Sequence, residues 1–347
     1  MRNPIPIIAG LMLALMGGMA AAQTTEIKIA TLAPENSGWM KEFRQGATEI
    51  RERTDGRVRL KFYSGGVQGN ERQVLRKMQI GQLHGGTFAP TDFQKRYPDL
   101  NIYGLPFLFK SEKEVEYVRE HLDSGLITGL EELGFETFGF AGGGFAIILS
   151  NEPVRSHDDM KGKKVWLPEG DQISYQGMKS LNLSPVSLPI TDVLTGLQTG
   201  LIDIVAIPPV VALALQWHTK VKYVTRMPVL YAMGFMVIGE RTFNKLSAED
   251  QAIVTEVMTE IYEKVDAASE RDSRNAIKAL LSVGIEEVEP IPGEFEKIRD
   301  QMQETNRDMA EQGMFSARLL DELLMHLQDY RAAAASKNDE VTVSEAH

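Results

Sequence analysis

The chain has 347 residues, which exceeds the roughly 100–150 residues of one compact domain, so two lobes are expected. Hydrophobic residues make up 43% and charged residues 24%, which excludes a collagen-like, disordered or polytopic membrane protein. The formal net charge of −11 excludes nucleic acid as a partner, and a chain with no cysteine has neither disulfides nor thiolate sites.

The two ends of the chain differ from its interior. Residues 1–22 have a basic start at Arg2, an apolar segment from Ile5 to Met19 and small residues before the polar residue Gln23. This pattern predicts a secretory signal peptide, cleavage after Ala22 and a location in the periplasm. No cysteine follows the small residues, which excludes a lipoprotein anchor. Residues 331–347 lose apolar periodicity and predict a disordered tail.

Strand and helix patterns alternate through the first half of the chain. Apolar–polar alternation predicts strands, and apolar spacings of three and four residues predict helices. The predicted strands are 26–32, 58–62 and 136–140, and the predicted helices are 39–54, 71–80 and 112–122. Such alternation favours a parallel sheet covered by helices.

A glycine run divides this first series from a second one. We expect Gly142–Gly144 and the apolar strand 145–149 to cross from one lobe to the next. The second series has strands at 163–167, 185–188 and 203–206, and helices at 172–181 and 191–200. The apolar segment 227–238 is long enough to run back across both lobes, and helices follow over 248–283 with an interruption, 295–312 and 316–332. The pattern predicts two α/β lobes with a cleft between them.

Recognised catalytic and cofactor motifs are absent from the sequence. The six histidines form no zinc-binding spacing, and Gly139–Gly144 lacks the GxGxxG order of dinucleotide sites. The run 65–69 lacks the Lys-Ser/Thr ending of a phosphate-binding loop, and no GxSxG elbow occurs. Acidic pairs such as Asp158-Asp159 fit a solvated surface better than acid–base catalysis. We therefore expect no enzymatic activity, cofactor or metal.

Several segments together resemble one family. They are Ile29-Ala30-Thr31 with Pro34, Ser37 and Phe43, then Gly69–Arg72, Tyr103–Phe109, Met160–Val165 and Leu197–Asp203. In this order, with the signal peptide before them, they resemble the periplasmic solute-binding proteins of tripartite ATP-independent periplasmic (TRAP) transporters. The resemblance runs from about residue 26 to residue 330.

The resemblance implies a two-lobed α/β periplasmic-binding-protein architecture with a ligand cleft between the lobes and long helices spanning them. Lobe I is expected to hold residues 23–147 and approximately 236–275, and lobe II residues 148–235 and approximately 276–330. The resemblance also implies closure around one small-molecule ligand and delivery to TRAP membrane permease subunits, driven by sodium without an ATPase.

This sequence departs from the family where the family binds carboxylates. Members typically carry an arginine soon after the K-G-x-K turn, and here Trp166 stands at that position. A second frequent arginine follows a Gly-Phe pair, and here Ala146 takes its place. An indole cannot neutralise a carboxylate as a bidentate guanidinium does, so the departure favours a less anionic ligand.

All three tryptophans lie in segments that carry the resemblance: Trp39, Trp166 and Trp217. Their broad apolar faces suggest contact with an apolar or aromatic part of the ligand. Each of them also fits a role in the hydrophobic core, because Trp39 lies on the apolar stripe of its helix and Trp217 can pack a helix.

Further contacts are expected from second-lobe residues near Trp166. Glu169 beside an aromatic face could hold a cationic or zwitterionic amine. The pair Pro208-Pro209 supplies only carbonyl groups and apolar surface, where the family often contributes a polar contact. Asp171 is interpreted as the capping residue of the next helix.

The first lobe offers polar candidates at the starts of helices. Asn36 and Ser37 precede one helix, Arg72 begins another, and Thr87 follows a strand. Capping is an equally good explanation for Ser37, and an ion pair with nearby acidic groups is the alternative for Arg72.

The sequence thus predicts a receptor for a small organic molecule that is less anionic, or more apolar or aromatic, than the usual organic acid. One alternative is a conventional carboxylate receptor that uses other contacts. Others are an exported enzyme on the same scaffold and a module that reports ligand state to a sensor.

Overall fold

The computed structural model describes residues 24–345, with side chains through residue 336. The predicted signal peptide, residues 1–22, lies outside the described residues. The strands are β1 (Thr25–Ala30), β2 (Val58–Tyr63), β3 (Gly85–Phe88), β4 (Phe135–Ser150), β5 (Lys164–Pro168), β6 (Ser184–Leu188), β7 (Ile204–Ile207), β8 (Tyr223–Gly239) and β9 (Glu286–Val288).

The α-helices are α1 (Gly38–Arg53), α2 (Glu71–Gln79), α3 (Glu112–Glu132), α4 (Gln172–Ser180), α5 (Val193–Thr199), α6 (Pro209–Ala214), α7 (Glu240–Phe243), α8 (Ala248–Ser282), α9 (Glu294–Glu311) and α10 (Ala317–Glu345). Short 3₁₀ helices cover Pro90–Phe93, Pro98–Gly104, Asp158–Met160, Ile190–Asp192 and Trp217–Lys220. Capping side chains fix several helix starts, and those of α1 to α4 and α8 accept from a backbone amide of the first turn: Ser37, Asn70, Ser111, Asp171 and Ser247. No helix of the described residues is both long and apolar enough to cross a membrane.

One mixed sheet runs through both lobes in the order β2-β1-β3-β8-β4-β7-β5-β6, with β9 beside β8. The outer strands pair in parallel, as the alternation of elements predicted. The parallel prediction is wrong in the middle, because β8 pairs antiparallel with both β3 and β4, and β4 pairs antiparallel with β7. The α/β fold is therefore confirmed, with a continuous sheet in place of two separate ones.

The glycine run lies inside a strand and does not separate two strands. Residues 136–140 and 145–149 were expected as two elements, but both belong to β4, which pairs with β8 across Gly142 and Gly144 with shifts of register. Tyr231 of β8 lies against this crossing, and a side chain at Gly142 would collide with its hydroxyl group. Because these glycines have no side chains, β4 and β8 can pass close beneath neighbouring groups as they run from lobe I into lobe II.

Both faces of the sheet are covered by helices in lobe II. Because successive side chains on a strand point to opposite faces, Trp166 and Val205 enter one hydrophobic cluster, while Val165 and Ile204 enter another. The first cluster packs beneath α5 and α6, and the second beneath α4 and α9.

Two helices depart from the predicted organisation. α8 is continuous over 35 residues, about 52 Å, with no interruption, and it contributes Val254 and Ile261 to lobe I but Leu280 to lobe II. α10 was assigned to lobe II, yet its Leu323 and Leu327 lie in the lobe I cluster beside α3. The long spanning helix agrees with the expectation from the resemblance.

The residues from 331 onward, which the sequence predicts as a disordered tail, continue α10 as far as Glu345. Arg331 begins that range, and its Nε donates to the Glu114 carboxylate at 2.7 Å. Its guanidinium also donates to the Leu108 carbonyl at 3.2 Å. An alanine-rich helix is locally stable, and this ion pair fastens it to lobe I, so the loss of apolar periodicity did not end the element.

An ion-pair network centred on the buried Arg119 holds α3, α8 and β4 together where the strands cross between lobes. Arg119 of α3 donates to both carboxylate oxygens of Asp266 on α8, at 2.9 and 2.8 Å, and to the Phe140 carbonyl at 2.8 Å. Asp123 accepts from the same guanidinium at 3.1 Å, and the Gly142 amide donates to Asp266 at 2.6 Å. One guanidinium therefore joins three elements.

We predict that Arg119→Met lowers the free energy of unfolding by about 2–3 kcal/mol, because it removes the counter-charge of the half-buried carboxylates Asp266 and Asp123 and the hydrogen bond to the Phe140 carbonyl. Urea unfolding followed by circular dichroism measures the change. The matched control is Arg53→Met, which removes an exposed pair with Glu256 at 2.7 Å and should shift the midpoint far less. Equal shifts for the two variants would contradict a special role for the network.

Glu112, in the first turn of α3, lies beside the same crossing. Burial, together with the nearby acidic residues Glu270 and Glu116, raises its pKa from 4.5 to about 7. The folded chain therefore binds more protons than the unfolded chain between these two pH values. Stability should fall as pH rises through this window and level off above it.

Glu112→Gln should remove this part of the pH dependence. The variant keeps the side-chain shape but carries no charge, so its melting temperature relative to wild type should rise between pH 5 and pH 8. Thermal unfolding at both pH values measures this difference. Glu120→Gln, on the exposed side of α3, serves as the control and should track wild type. Parallel curves for Glu112→Gln and wild type would refute the assignment.

Candidate functional site

A cavity of about 230 Å³ lies where lobe I, the crossing strands and lobe II meet. Lobe I contributes the 3₁₀ segments that follow β3, and the crossing strands contribute one side of β4 and β8. Lobe II contributes the carboxyl end of β5, the buried face of α4 and the residues that follow β7. Carboxyl ends of strands and helix starts from lobe II thus converge on one space.

The cavity is lined almost entirely by apolar side chains and backbone. Its lining includes no lysine, arginine or histidine among the residues that the structure describes. The side chains able to form hydrogen bonds are few: Thr91, Asn101, Trp166, Asp171, Ser174 and Tyr231. A fully ionised ligand acid buried here would find no cationic side chain.

Trp166 lies in the middle of β5 and is only 3% exposed. Its indole Nε1 donates to the Leu188 carbonyl at 3.0 Å, and its ring meets the edge of Trp217 at 5.2 Å between centroids. The indole N–H is therefore used within lobe II. What Trp166 offers the cavity is part of its apolar ring surface.

A second, polar cavity of about 420 Å³ adjoins the first and forms its mouth. The two share Ala89, Thr91, Trp166, Pro168 and Ile190. Both acidic and basic side chains line this polar mouth, and its cations are Arg72, Arg76, Lys95 and Arg96. Charge is thus concentrated in the polar mouth, outside the apolar cavity.

Two acidic groups in the polar mouth have perturbed protonation. Burial, with a further contribution from the Glu71 carboxylate, raises the pKa of Asp92 well above its usual range. Burial likewise raises the pKa of Glu71. Both shifts weaken the negative charge that these two carboxyl groups contribute to the mouth.

One ion pair bridges the lobes across the mouth. Arg72, at the start of α2 in lobe I, meets Glu169 of lobe II at 3.1 Å. Glu169 follows β5 and precedes Gly170, whose positive φ of 95° turns the chain toward α4. The pair joins elements that belong to different lobes, so it can form only when the lobes are close together.

Five of the eleven predicted contacts meet at this site. Ala146, Trp166 and Pro208 line the apolar cavity, and Arg72 and Glu169 line the polar mouth. Trp166 also lines the mouth. Sequence reasoning thus grouped residues from both lobes that the fold brings to one place.

The other predicted contacts line neither cavity. Ser37 caps α1 by accepting from the Met40 amide at 3.3 Å, Thr87 donates to Thr31 at 2.7 Å, and Asn36 is exposed. Trp39 packs against the core between α1 and α8, and Trp217 lies beneath Trp166 in the lobe II core. Pro209 is buried at the start of α6.

Sequence reasoning missed four polar residues that line the apolar cavity: Asn101, Asp171, Ser174 and Tyr231. Asp171 was interpreted as a helix cap, and it is one, because its Oδ1 accepts from the Ser174 amide at 2.9 Å. Burial raises the pKa of this carboxyl group. Its position directly after a strand that ends at the cleft was the available signal, since ligands bind at such ends.

No group of three or more histidine, aspartate or glutamate side chains that could hold a metal occurs among the described residues. The apolar cavity offers three kinds of contact: broad apolar surface, a few hydrogen-bonding groups and one buried carboxyl group. This set suits retention of a small molecule.

Comparison with known proteins adds a family to this geometry. Residues 29–312 match the model for bacterial extracellular solute-binding proteins of family 7. The C4-dicarboxylate-binding periplasmic protein of Rhodobacter capsulatus is 22% identical over 247 residues, which are 70% of this chain and 73% of that protein.

Solved structures share the fold at lower identity. The sugar acid-binding protein of Advenella mimigardefordensis, in complex with galactonate, has a TM-score of 0.82 at 19% identity and covers 88% of this chain and 99% of its own. A TRAP periplasmic solute-binding protein from Desulfovibrio salexigens, with bound orotic acid, has a TM-score of 0.80 at 19% identity and covers 89% and 99%.

The ion pair between Arg72 and Glu169 predicts a charge-dependent approach of the lobes. Arg72→Glu places two carboxylates opposite each other across the mouth, so the ratio of closed to open molecules should fall by about fivefold, the upper range for an exposed pair. Small-angle scattering at low salt measures the mean separation of the lobes.

The double variant Arg72→Glu with Glu169→Arg restores opposite charges with exchanged positions. It should return the scattering profile toward wild type, and high salt should reduce all the differences. A double variant as open as the single one would show that the pair does not hold the lobes.

Proposed function

Because the chain belongs to family 7 of the bacterial extracellular solute-binding proteins, the receptors of TRAP transporters, we propose that it captures a small apolar or aromatic molecule in the cavity between its lobes. In this proposal the chain acts in the periplasm after removal of residues 1–22 and delivers the ligand to TRAP permease subunits in the membrane. It returns the ligand chemically unchanged and is not an enzyme.

The single observation that carries the choice of ligand is the absence of any lysine, arginine or histidine from the cavity lining in the described chain. Moving an unpaired carboxylate from water into such a space costs several kcal/mol. Burial of apolar surface instead contributes about 25 cal/mol per Å². The lining therefore favours a ligand whose buried part is apolar and carries no ionised acid group.

Trp166 and Ala146 stand at the two positions where the family resemblance implies an arginine. The side chain at position 166 is packed into the lobe II core, and its N–H is bonded to Leu188. Ala146 is 1% exposed and contributes no group beyond its methyl. Neither side chain brings a positive charge to the cavity.

The size of the cavity sets the size of the ligand. A buried apolar cavity of about 150 Å³ accepts benzene, so the 230 Å³ found here suits one aromatic ring with a short substituent. Contacts from both lobes would be complete only when the lobes are closed, and a ligand that binds this state better shifts the population toward it. Binding of the ligand and closure of the lobes are then coupled in one equilibrium.

A second candidate is a receptor for an amphipathic acid. Its apolar part would fill the cavity, and its carboxylate would reach the polar mouth, where Arg76, Lys95 and Arg96 are available. Relatives named for C4-dicarboxylates and for sugar acids give this candidate its motivation. It differs from the first proposal in the charge of the end that faces solvent.

A thermal-shift panel on residues 23–347 tests the proposal with 2-phenylethanol, phenylacetate, succinate and galactonate at equal concentration. We expect 2-phenylethanol to raise the melting temperature, because binding at a concentration 100 times the Kd stabilises the folded state by about 2.7 kcal/mol. Succinate and galactonate should give no shift. Mass spectrometry after incubation should recover the compound unchanged.

Two variants locate the binding. Ala206→Phe fills part of the cavity and should abolish the shift, whereas Thr48→Phe on the exposed face of α1 should leave it intact. Stabilisation by succinate or galactonate without any neutral aromatic would contradict the proposal. Stabilisation by phenylacetate without 2-phenylethanol would support the amphipathic acid instead.

A further inference from the structure

Three carboxyl groups are buried in the described part of the chain: Glu114, Asp171 and Asp250, with 4%, 4% and 5% exposure. Glu114 meets Arg331 at 2.7 Å, and Asp250 meets Arg57 at 2.8 Å. Asp171 has no cationic side chain within ion-pair distance among the described residues. It is also the one of the three that lines the apolar cavity.

We propose that Asp171 is the specificity-determining residue of the site and that it binds a primary ammonium group on an apolar or aromatic ligand. This inference rests on the proposed function and names the ligand class: a small aromatic or aliphatic amine. Recognition consists of an N–H donated by the ligand ammonium to the carboxylate, while the apolar remainder fills the cavity.

Asp171 caps a helix and still has capacity to accept a hydrogen bond from a ligand. It accepts from the Ser174 amide through Oδ1 at 2.9 Å, which caps α4, and the Ser174 hydroxyl and the Ile173 amide also donate to its carboxylate. A carboxylate can accept several hydrogen bonds, so capping does not saturate it. The remaining capacity lies in a cavity where the other ionisable side chain of the described lining is the phenol Tyr231.

The electrostatic setting favours a cation over a neutral donor. Burial raises the pKa of Asp171, and an ammonium placed against the carboxylate would stabilise its ionised form. The positive end of α4 contributes some stabilisation already, but a full opposite charge in a water-poor cavity contributes more. An amine thereby supplies the counter-charge that arginine supplies to Glu114 and Asp250.

Glu169, which the sequence suggested for the same task, is placed differently. Its carboxylate is engaged by Arg72 at 3.1 Å and lies in the polar mouth with 40% of its side chain exposed. An ion pair in that setting leaves little negative potential for a ligand. We therefore assign the cation-binding role to the buried carboxyl group of Asp171, two residues after Glu169.

Binding of 2-phenylethylamine and 2-phenylethanol, measured by isothermal titration at pH 7.5, tests the inference. The two compounds share a ring and a chain length and differ in charge. We expect wild type to bind the amine about fivefold more tightly than the alcohol, because a charge-assisted hydrogen bond is roughly twice as strong as a neutral one.

Asp171→Asn removes the charge and keeps a residue that caps helices equally well, so the fold should persist. We expect it to lose the preference for the amine and to bind the alcohol within about threefold of wild type. Asp171→Ser also caps the helix and provides a second variant. Asp192→Asn, at the exposed start of α5, is the matched control and should behave as wild type.

The outcomes separate this inference from the proposed function. Equal binding of amine and alcohol by wild type, or amine binding unaffected in both Asp171 variants, would overturn the role of Asp171 while leaving an apolar receptor in place. Binding of neither compound, together with tight binding of succinate or galactonate, would overturn the proposed function itself.

Discussion

The pairing of β4 with β8 is the constraint on which the rest of the structure depends. These two strands hydrogen-bond from Phe135 to Ser150 and are shared by both lobes. Every other strand of the sheet is attached directly or indirectly to one side of this pair, so the pair fixes how the lobes face each other. Because the two strands cross the cleft, they also form the cavity wall that belongs to neither lobe alone. Arg119 and Asp266 fasten α3 and α8 against the crossing.

The sequence predicted most elements because they bury one face each and carry the corresponding periodicity. It could not predict the antiparallel centre, since a strand's direction relative to a distant partner leaves no local trace. The glycines of β4 were expected to end a strand, and they lie inside it because β8 provides pairing on the other side. Arg331 shows the same limit at the end of the chain: a contact with Glu114 at a separation of 217 residues cannot be inferred from periodicity.

The candidate site was predicted where a family position could be compared and was missed where only geometry matters. Trp166 drew attention because the family resemblance implies an arginine at its position. In the structure its indole N–H donates to the Leu188 carbonyl, and the cavity has no cationic side chain among the described residues. Asp171 resembled any other capping residue, and only its burial beside a cavity, without an arginine, distinguishes it. Whether a carboxylate has a cationic partner depends on the three-dimensional fold and cannot be read from the sequence.

Tyr231 takes part in two features of the molecule, the crossing of the strands and the wall of the cavity. Its hydroxyl lies so close to Gly142 that no side chain fits there, and the same residue lines the cavity. The bending point of the strands and the wall that a ligand touches are thus one side chain. A guest large enough to displace this phenol would press directly on the strand crossing, so the filling of the cavity and the angle between the lobes are coupled through one side chain.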